Sequence, residues 1–335
     1  MAAGIGLDSV VHVPTDQSGC MDPTALRRLL QLAVDSGQTP FFVNATMGTT
    51  VLGACDPLDD IADICDEFKV WLHVDGSWGG PLALFSDDEM STAFKIPQGR
   101  INSLTINPHK LLGAPLQCSF LLVRDGLNVM RKALGLGAGY LFHTEDQDNN
   151  DSPDLGDATL GCGRRPDAIK FWLMWRYHGT KYFVDRLRHA RRMALKLADM
   201  VLRRERSADP NVNGQWRLVS KPQSTCVCFW FVPRHLLLES GYKGSSFEES
   251  LSLATRKICN RINDSGQLLI DYASVELFRN CSSSADGCQR TADELEKYMV
   301  PSFFRIPLNS PDVTESTLSA MLDAIEKAAG YLYGD

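Results

Sequence analysis

"PFFVNATMGTTVLGACDPLDDIADICDEFKVWLHVD", residues 40–75, is the stretch whose reading decides the fold. Its opening "PFFVNAT" (40–46) is a compact apolar run of strand length. "DPLDDIADICDEF" (56–68) then repeats apolar residues at helical spacing, which places Leu58, Ile61, Ile64, Cys65 and Phe68 on one face. "VWLHVD" (70–75) is a second continuous strand. Strand, helix and strand joined by short connections form the unit of an α/β layer on a largely parallel sheet. "INSLTI" (101–106) and "CSFLLV" (118–123) are expected to add two more strands.

Further along, the pattern changes. Residues 137–157, "GAGYLFHTEDQDNNDSPDLGD", are acidic and rich in Gly, Asn and Asp, which predicts a long mobile loop with a functional role. "PDAIKFWLMWRYHG" (166–179) predicts a helix entered through proline and ended at Gly179. Its stripe Phe171, Trp172, Trp175 is expected in the core or at a dimer interface. Then come a helix (183–205), strands at 215–220 and 225–232, a helix (247–263) and a strand near 267–278. A polar insert at 279–295, the strand "FFRIPL" (303–308) and a helix over 314–332 close the chain. The expected division is a large α/β domain over 1–184 and a smaller α+β domain over 185–335.

Bulk properties narrow the function. The 335 residues are 44% hydrophobic and 22% charged, an ordinary globular composition. A net charge of −7 argues against a nucleic-acid partner, and the basic run "RLRHARR" (186–192) reads as a helix surface. No apolar stretch approaches the ~20 residues that span a membrane. "MAAGIGLDSV" has neither the basic start nor the apolar core of a signal peptide. A soluble cytoplasmic protein with reduced cysteines is expected. Of the ten cysteines, Cys226 and Cys228 share one strand face, but no second pair at ligand spacing accompanies them. They read as buried thiols, and no metal is expected.

Three features carry chemistry. Asp75 ends a strand, where ligands of open α/β sheets bind; it either caps the next turn or awaits a cationic partner. Lys110, in "SLTINPHKLLGAP" (103–115), is either a surface charge or an amine eased toward Schiff-base chemistry. "NATMGTT" (44–50) offers hydroxyls and amides to an anion. Together they supply an acid for a pyridine nitrogen, an amine for a Schiff base, and hydroxyl and imidazole groups for a phosphate. That is the set pyridoxal phosphate requires.

With "NATMGTTVLGACDPLDDIADIC" (44–65), "WLHVDGSWGG" (71–80), "NPHKLLGAPLQCS" (107–119), "GYLF" (139–142), "CGRRPDAIKFWLMW" (162–175) and "CFWFVP" (228–233), the chain resembles the group II pyridoxal-phosphate-dependent amino-acid decarboxylases. The branch it resembles holds glutamate decarboxylase and cysteine sulfinate decarboxylase. The resemblance implies a fold type I large domain with a small C-terminal domain. It also implies decarboxylation of glutamate, cysteine sulfinate or aspartate in a homodimer whose 137–157 loop reaches the partner's site. Lys110 matches the Schiff-base lysine and Asp75 the carboxylate facing the pyridine nitrogen. Asn107 and His109 match positions near the phosphate, and Thr50 a threonine of the cofactor pocket. Tyr140 matches the loop tyrosine that protonates the substrate carbon once carbon dioxide leaves. Arg305 matches the arginine that takes the substrate α-carboxylate, and Gln117 is typical of the acidic-substrate branch. Where the family carries an alanine whose methyl packs on the cofactor ring, this chain has Gly76. The family also has an N-terminal portion, ahead of the segment matching "AAGIGLDSV", that carries a ring-stacking histidine and a phosphate loop. The expectation is therefore a truncated member that binds cofactor weakly and decarboxylates poorly or not at all. Its alternative role is a catalytically weak interaction or dimerisation partner.

Overall fold

The computed structural model describes residues 4–84, 94–124, 126–135, 155–161, 163, 165–207, 212–239, 245–280 and 295–334. Helix α1 (Pro23–Asp35) opens on Asp22, whose carboxylate accepts the N–H groups of Thr24 and Ala25. The 40–75 stretch then folds as β1 (Phe42–Thr46), α2 (Leu58–Phe68) and β2 (Trp71–Gly76). Helix α2 buries Leu58, Ile61, Ala62, Ile64 and Cys65, the face that its spacing defines. After α3 (Gly80–Leu84) come β3 (Ser103–Ile106) and β4 (Phe120–Val123). The sheet order is β1-β2-β3-β4, with the first three strands parallel and β4 antiparallel.

Strand alternation gives this sheet two unlike faces. Val43, Ala45, Leu72, Val74, Leu104 and Ile106 enter a core shared with α1 and α2. Asn44, His73, Asp75 and Thr105 point the other way. The strand expected over 118–123 is shorter at its start, because Cys118 and Ser119 are tied instead to the turn after β3.

Helix α4 (Leu127–Leu134) follows; Tyr140 and most of 137–157 lie outside the described residues. Helix α5 (Asp167–Ser207) is interrupted at Gly179, whose φ of 76° and ψ of 168° leave the helical region where the sequence places a stop. The aromatic stripe divides. Phe171 and Trp175 meet edge to face at 5.3 Å against the first core, while Trp172 is 59% exposed beside exposed Ile169, Leu173 and Tyr177. Past Gly179, α5 gives Phe183 and Leu187 to the first core, then Met193, Leu197 and Val201 to a second.

That second core is covered by an antiparallel sheet of order β5-β6-β8-β7, formed by β5 (Gly214–Leu218), β6 (Cys226–Pro233), β7 (Asp271–Asn280) and β8 (Leu295–Pro307). Helices α6 (Arg234–Glu239), α7 (Ser245–Asp264) and α8 (Glu315–Tyr333) complete the unit. Strand β8 starts at Leu295, well before the expected residue 303, and runs through Pro301. The structure absorbs that proline in a bulge: Ala273 pairs with Phe303 and Val275 with Val300, so Pro301 and Ser302 face Ser274 alone. The N–H of Ser302 donates instead to Ser252 Oγ at 2.9 Å. Cys226 and Cys228 are buried, and no group of three metal-ligating side chains occurs among the described residues. Nor is any described helix long and apolar enough to cross a membrane.

The loops leaving β1 and β2 touch at a glycine. Gly79 N–H donates to Met47 O at 2.9 Å, and a Cβ at residue 79 would lie 2.5 Å from that oxygen. Gly79→Ala therefore forces the two loops apart. A loss of about 1–3 kcal/mol in urea unfolding is expected; an unchanged midpoint contradicts this packing.

Candidate active site

The parallel register sets Thr46, Asp75 and Thr105 level across β1, β2 and β3. The carboxyl ends of these strands therefore open on one edge, the place where α/β sheets bind ligands. Asp75 Oδ1 accepts the N–H of Ser77 at 2.9 Å and its hydroxyl at 2.5 Å. The turn-capping role is thus real, but Asp75 has no ion-pair partner among the described residues, so its charge stays uncompensated. His73, two residues earlier on the same face, sits with Nδ1 2.8 Å from Ser103 Oγ and Nε2 3.2 Å from Thr105 Oγ1. Its ring stacks on Phe42 at 6.0 Å. Burial pushes its pKa down, with Asp75 opposing that shift less strongly, so it stands neutral beside the carboxylate.

Lys110 lies four residues past β3 in a turn held from several sides. Its N–H donates to Asn107 O at 2.9 Å, and Ala114 N–H to Pro108 O at 3.0 Å. Leu111 and Leu112 anchor the turn in the core. Arg186 of α5 donates to Leu111 O at 2.8 Å and to Asn309 O at 2.7 Å, which ties the lysine turn to the second half of the chain. The Nζ of Lys110 has no hydrogen-bond or ion-pair partner among the described residues. The same turn collects other expected residues. Asn107 Oδ1 accepts Ser119 Oγ at 2.6 Å, and His109 Nδ1 is 2.6 Å from Cys118 O. Gln117 is held by Lys170 Nζ, which donates to its carbonyl at 2.6 Å, while its own side chain is exposed and free of hydrogen bonds among the described residues.

Arg305 reaches the loop after β1. Its Nε donates to the carbonyl of Thr50 at 2.8 Å, and its Nη1 pairs with Asp271 Oδ2 at 3.0 Å. Asp271 is its direct cross-strand partner. The arginine is 15% exposed at the side chain and the aspartate 58%, so the pair faces outward. Thr50 thus meets Arg305 through its backbone, with its side chain exposed. Tyr140 is outside the described residues.

Gly76 departs from expectation. It follows Asp75 on the opposite face, buried, where a Cβ would meet Leu104 Cδ1 at 2.9 Å and Thr105 O at 3.0 Å. An alanine methyl there would enter the packed layer between β2 and β3 instead of the face that bears Asp75. Three contributors were not singled out from the sequence: His73, Asp271 and Arg186. The period-2 alternation of "WLHVD" does place His73 on the Asp75 face. No local signal places Asp271 opposite Arg305, because that pairing depends on the register of two strands separated by residues 281–294.

The fold thus places an acid and an amine without ion-pair partners at neighbouring parallel strand ends, with an arginine over the adjoining loop. The chain belongs to the pyridoxal-dependent decarboxylase family, whose conserved domain matches residues 1–232. The L-aspartate decarboxylase dtxS4 of Metarhizium robertsii is 41% identical over 275 residues, 82% of this chain and 50% of that protein. Cysteine sulfinic acid decarboxylase of Rattus norvegicus is 40% identical over 272 residues, 80% and 52% of the two chains. The crystal structure of mouse CSAD superposes with a TM-score of 0.78 at 32% identity, over 97% of this chain and 60% of that one. The chain spans about half the length of the curated relatives it matches. Its residues fit a pyridoxal group: Lys110 offers an amine without a partner, and Asp75 a carboxylate without a counter-charge.

Because burial depresses the His73 pKa, the unfolded chain takes up its proton first as pH falls. The stabilisation from neutral His73 is complete above the usual histidine range, about 6.5, and is lost as pH falls through the folded value. His73→Gln is expected to flatten the stability-versus-pH slope as pH falls below about 6.5. Identical slopes in wild type and variant contradict it.

Proposed function

We propose that this chain carries the site of a pyridoxal-phosphate-dependent carboxy-lyase for a small acidic L-amino acid: glutamate, cysteine sulfinate or aspartate. The observation that carries the reading is the pairless Lys110 amine and Asp75 carboxylate at adjoining strand ends. Two relatives named for aspartate and cysteine sulfinic acid support the substrate class.

In this reading, Lys110 would hold the cofactor through its side-chain amine, which has no partner among the described residues. Asp75, kept in place by Ser77, keeps the pyridine nitrogen protonated. His109 commits Nδ1 to Cys118 and keeps Nε2, and Asn107 commits its oxygen to Ser119 and keeps its amide N–H groups as donors, so both would be able to hold the phosphate. Thr50 lines the same pocket. When bound, the cofactor supplies an electron sink that lets the α-carboxylate leave as carbon dioxide. Tyr140 returns a proton to the α-carbon, with the 137–157 loop acting in a second copy's site. Ile169, Trp172, Leu173 and Tyr177, an exposed apolar stripe, are the surface on which that second copy docks. The two cores are read as domains 1–184 and 185–335, in a cytoplasmic protein. Arg305 takes the substrate α-carboxylate, and Gln117 contributes to acidic-substrate selection.

The Arg305–Asp271 pair favours a second reading, a catalytically weak chain acting as an interaction or dimerisation partner, because an internal carboxylate already holds the substrate's arginine. Carbon dioxide release from glutamate, aspartate and cysteine sulfinate, measured with added pyridoxal phosphate, separates the two. Release that Lys110→Ala abolishes is expected; no release from wild type overturns catalysis by this chain, and keto-acid formation overturns the reaction class. If Asp271 competes with substrate, Asp271→Asn lowers KM by about 3–10-fold with kcat unchanged, removal of a charge pair being worth roughly 1 kcal/mol in such settings. A raised KM shows instead that Asp271 positions the arginine.

A further inference from the structure

The loop after β1 meets the segment before β6 around a cavity of about 700 Å³. None of Lys110, Asp75, Thr50 or Arg305 lines it. Its walls carry three cations, Lys95, Arg191 and Lys221, and three acids, Asp56, Asp59 and Asp60. No ion pair engages any of the six among the described residues.

Arg191 is the residue that demands an explanation. It is 9% exposed, on α5, and its Nη1 donates to the carbonyls of Pro222 at 3.1 Å and Ser224 at 2.6 Å. Those acceptors are neutral and engage one nitrogen; the guanidinium charge has no carboxylate within ion-pair distance among the described residues. A buried unpaired charge is costly. Asp56 is the counterpart, 7% exposed, with its two oxygens accepting the backbone N–H groups of Met21 at 2.7 Å and Thr46 at 2.6 Å. Burial drives both groups toward their neutral forms, lowering the pKa of Arg191 and raising that of Asp56. A simple anion entering the cavity meets three carboxylates, and a simple cation meets three positive groups. A molecule bearing both charges compensates each wall.

We propose that this cavity is a binding site for a small zwitterion of the amino-acid type, with its carboxylate on Arg191 and Lys221 and its ammonium on the acidic wall that includes Asp56. The site is independent of the Lys110 pocket and of the catalytic reading. Three small probes test it by calorimetry on the full chain without cofactor: β-alanine carries both charges, propionate the negative one and propylamine the positive one. β-Alanine is expected to bind about tenfold tighter than either analogue, since each lost charge contact costs on the order of 1.4 kcal/mol. Arg191→Gln is expected to abolish that preference and Arg191→Lys to keep most of it. Exposed Lys221→Ala, which leaves the buried cluster intact, is expected to weaken β-alanine several-fold. Lys110→Ala leaves binding unchanged. Propionate binding as tightly as β-alanine makes this an anion site and overturns the proposal. So do retention of β-alanine in both Arg191→Gln and Lys221→Ala, its loss in Lys110→Ala, and no detectable binding by wild type.

Discussion

The parallel pairing of β1, β2 and β3 is the constraint on which the site depends. Because Thr46, Asp75 and Thr105 lie level, three successive connections leave the sheet along a single edge. Each connection brings one kind of chemistry: Thr50 after β1, the Asp75–Ser77 turn at the end of β2, and the Asn107–Lys110 turn after β3. A one-residue slip of β2 would turn Asp75 into the core and bring Val74 out. The burial of Leu72 and Val74 against α2 opposes that slip, so the hydrophobic core and the placement of the carboxylate are one and the same requirement.

The second half of the chain completes the edge through a few long-range contacts. Arg186 fastens the lysine turn to Asn309, and Arg305 fastens the β1 loop from the opposite side. Charges are distributed unevenly around this junction. Lys110 and Asp75 are left open, whereas Arg305 is already held by Asp271. An open amine and an open acid suit an incoming cofactor; under the proposed function, a substrate carboxylate would have to compete with Asp271 for Arg305.

Much of this was legible in the sequence where the signal is local. The apolar spacing of α2, the continuous runs of β1 and β2, and the Gly179 stop in α5 are all short-range patterns, and the elements form there. Their places at the ends of strand-like runs brought Asp75 and Lys110 forward, and the resemblance of "NPHK" and "WLHVDGSWGG" to one family then gave each its expected role. What escaped was set by distant pairing. The early part of β8 was not expected, and it pairs with β7 through a bulge opposite Ser274 that accommodates Pro301. Asp271 carried no mark of its partnership with Arg305. The stripe expected in the core or at a dimer interface divides, with Phe171 and Trp175 against the core and Trp172 exposed. Alternation alone would have shown that Gly76 faces away from Asp75.

The central claim is that Lys110 is the amine built for the cofactor at the aligned strand ends. Incubation of the chain with pyridoxal phosphate, reduction with borohydride and peptide mapping by mass spectrometry tests it directly. The pyridoxyl mass is expected on the peptide bearing Lys110, in preference to the surface lysines. A label spread evenly over those surface lysines, with none concentrated at residue 110, contradicts it.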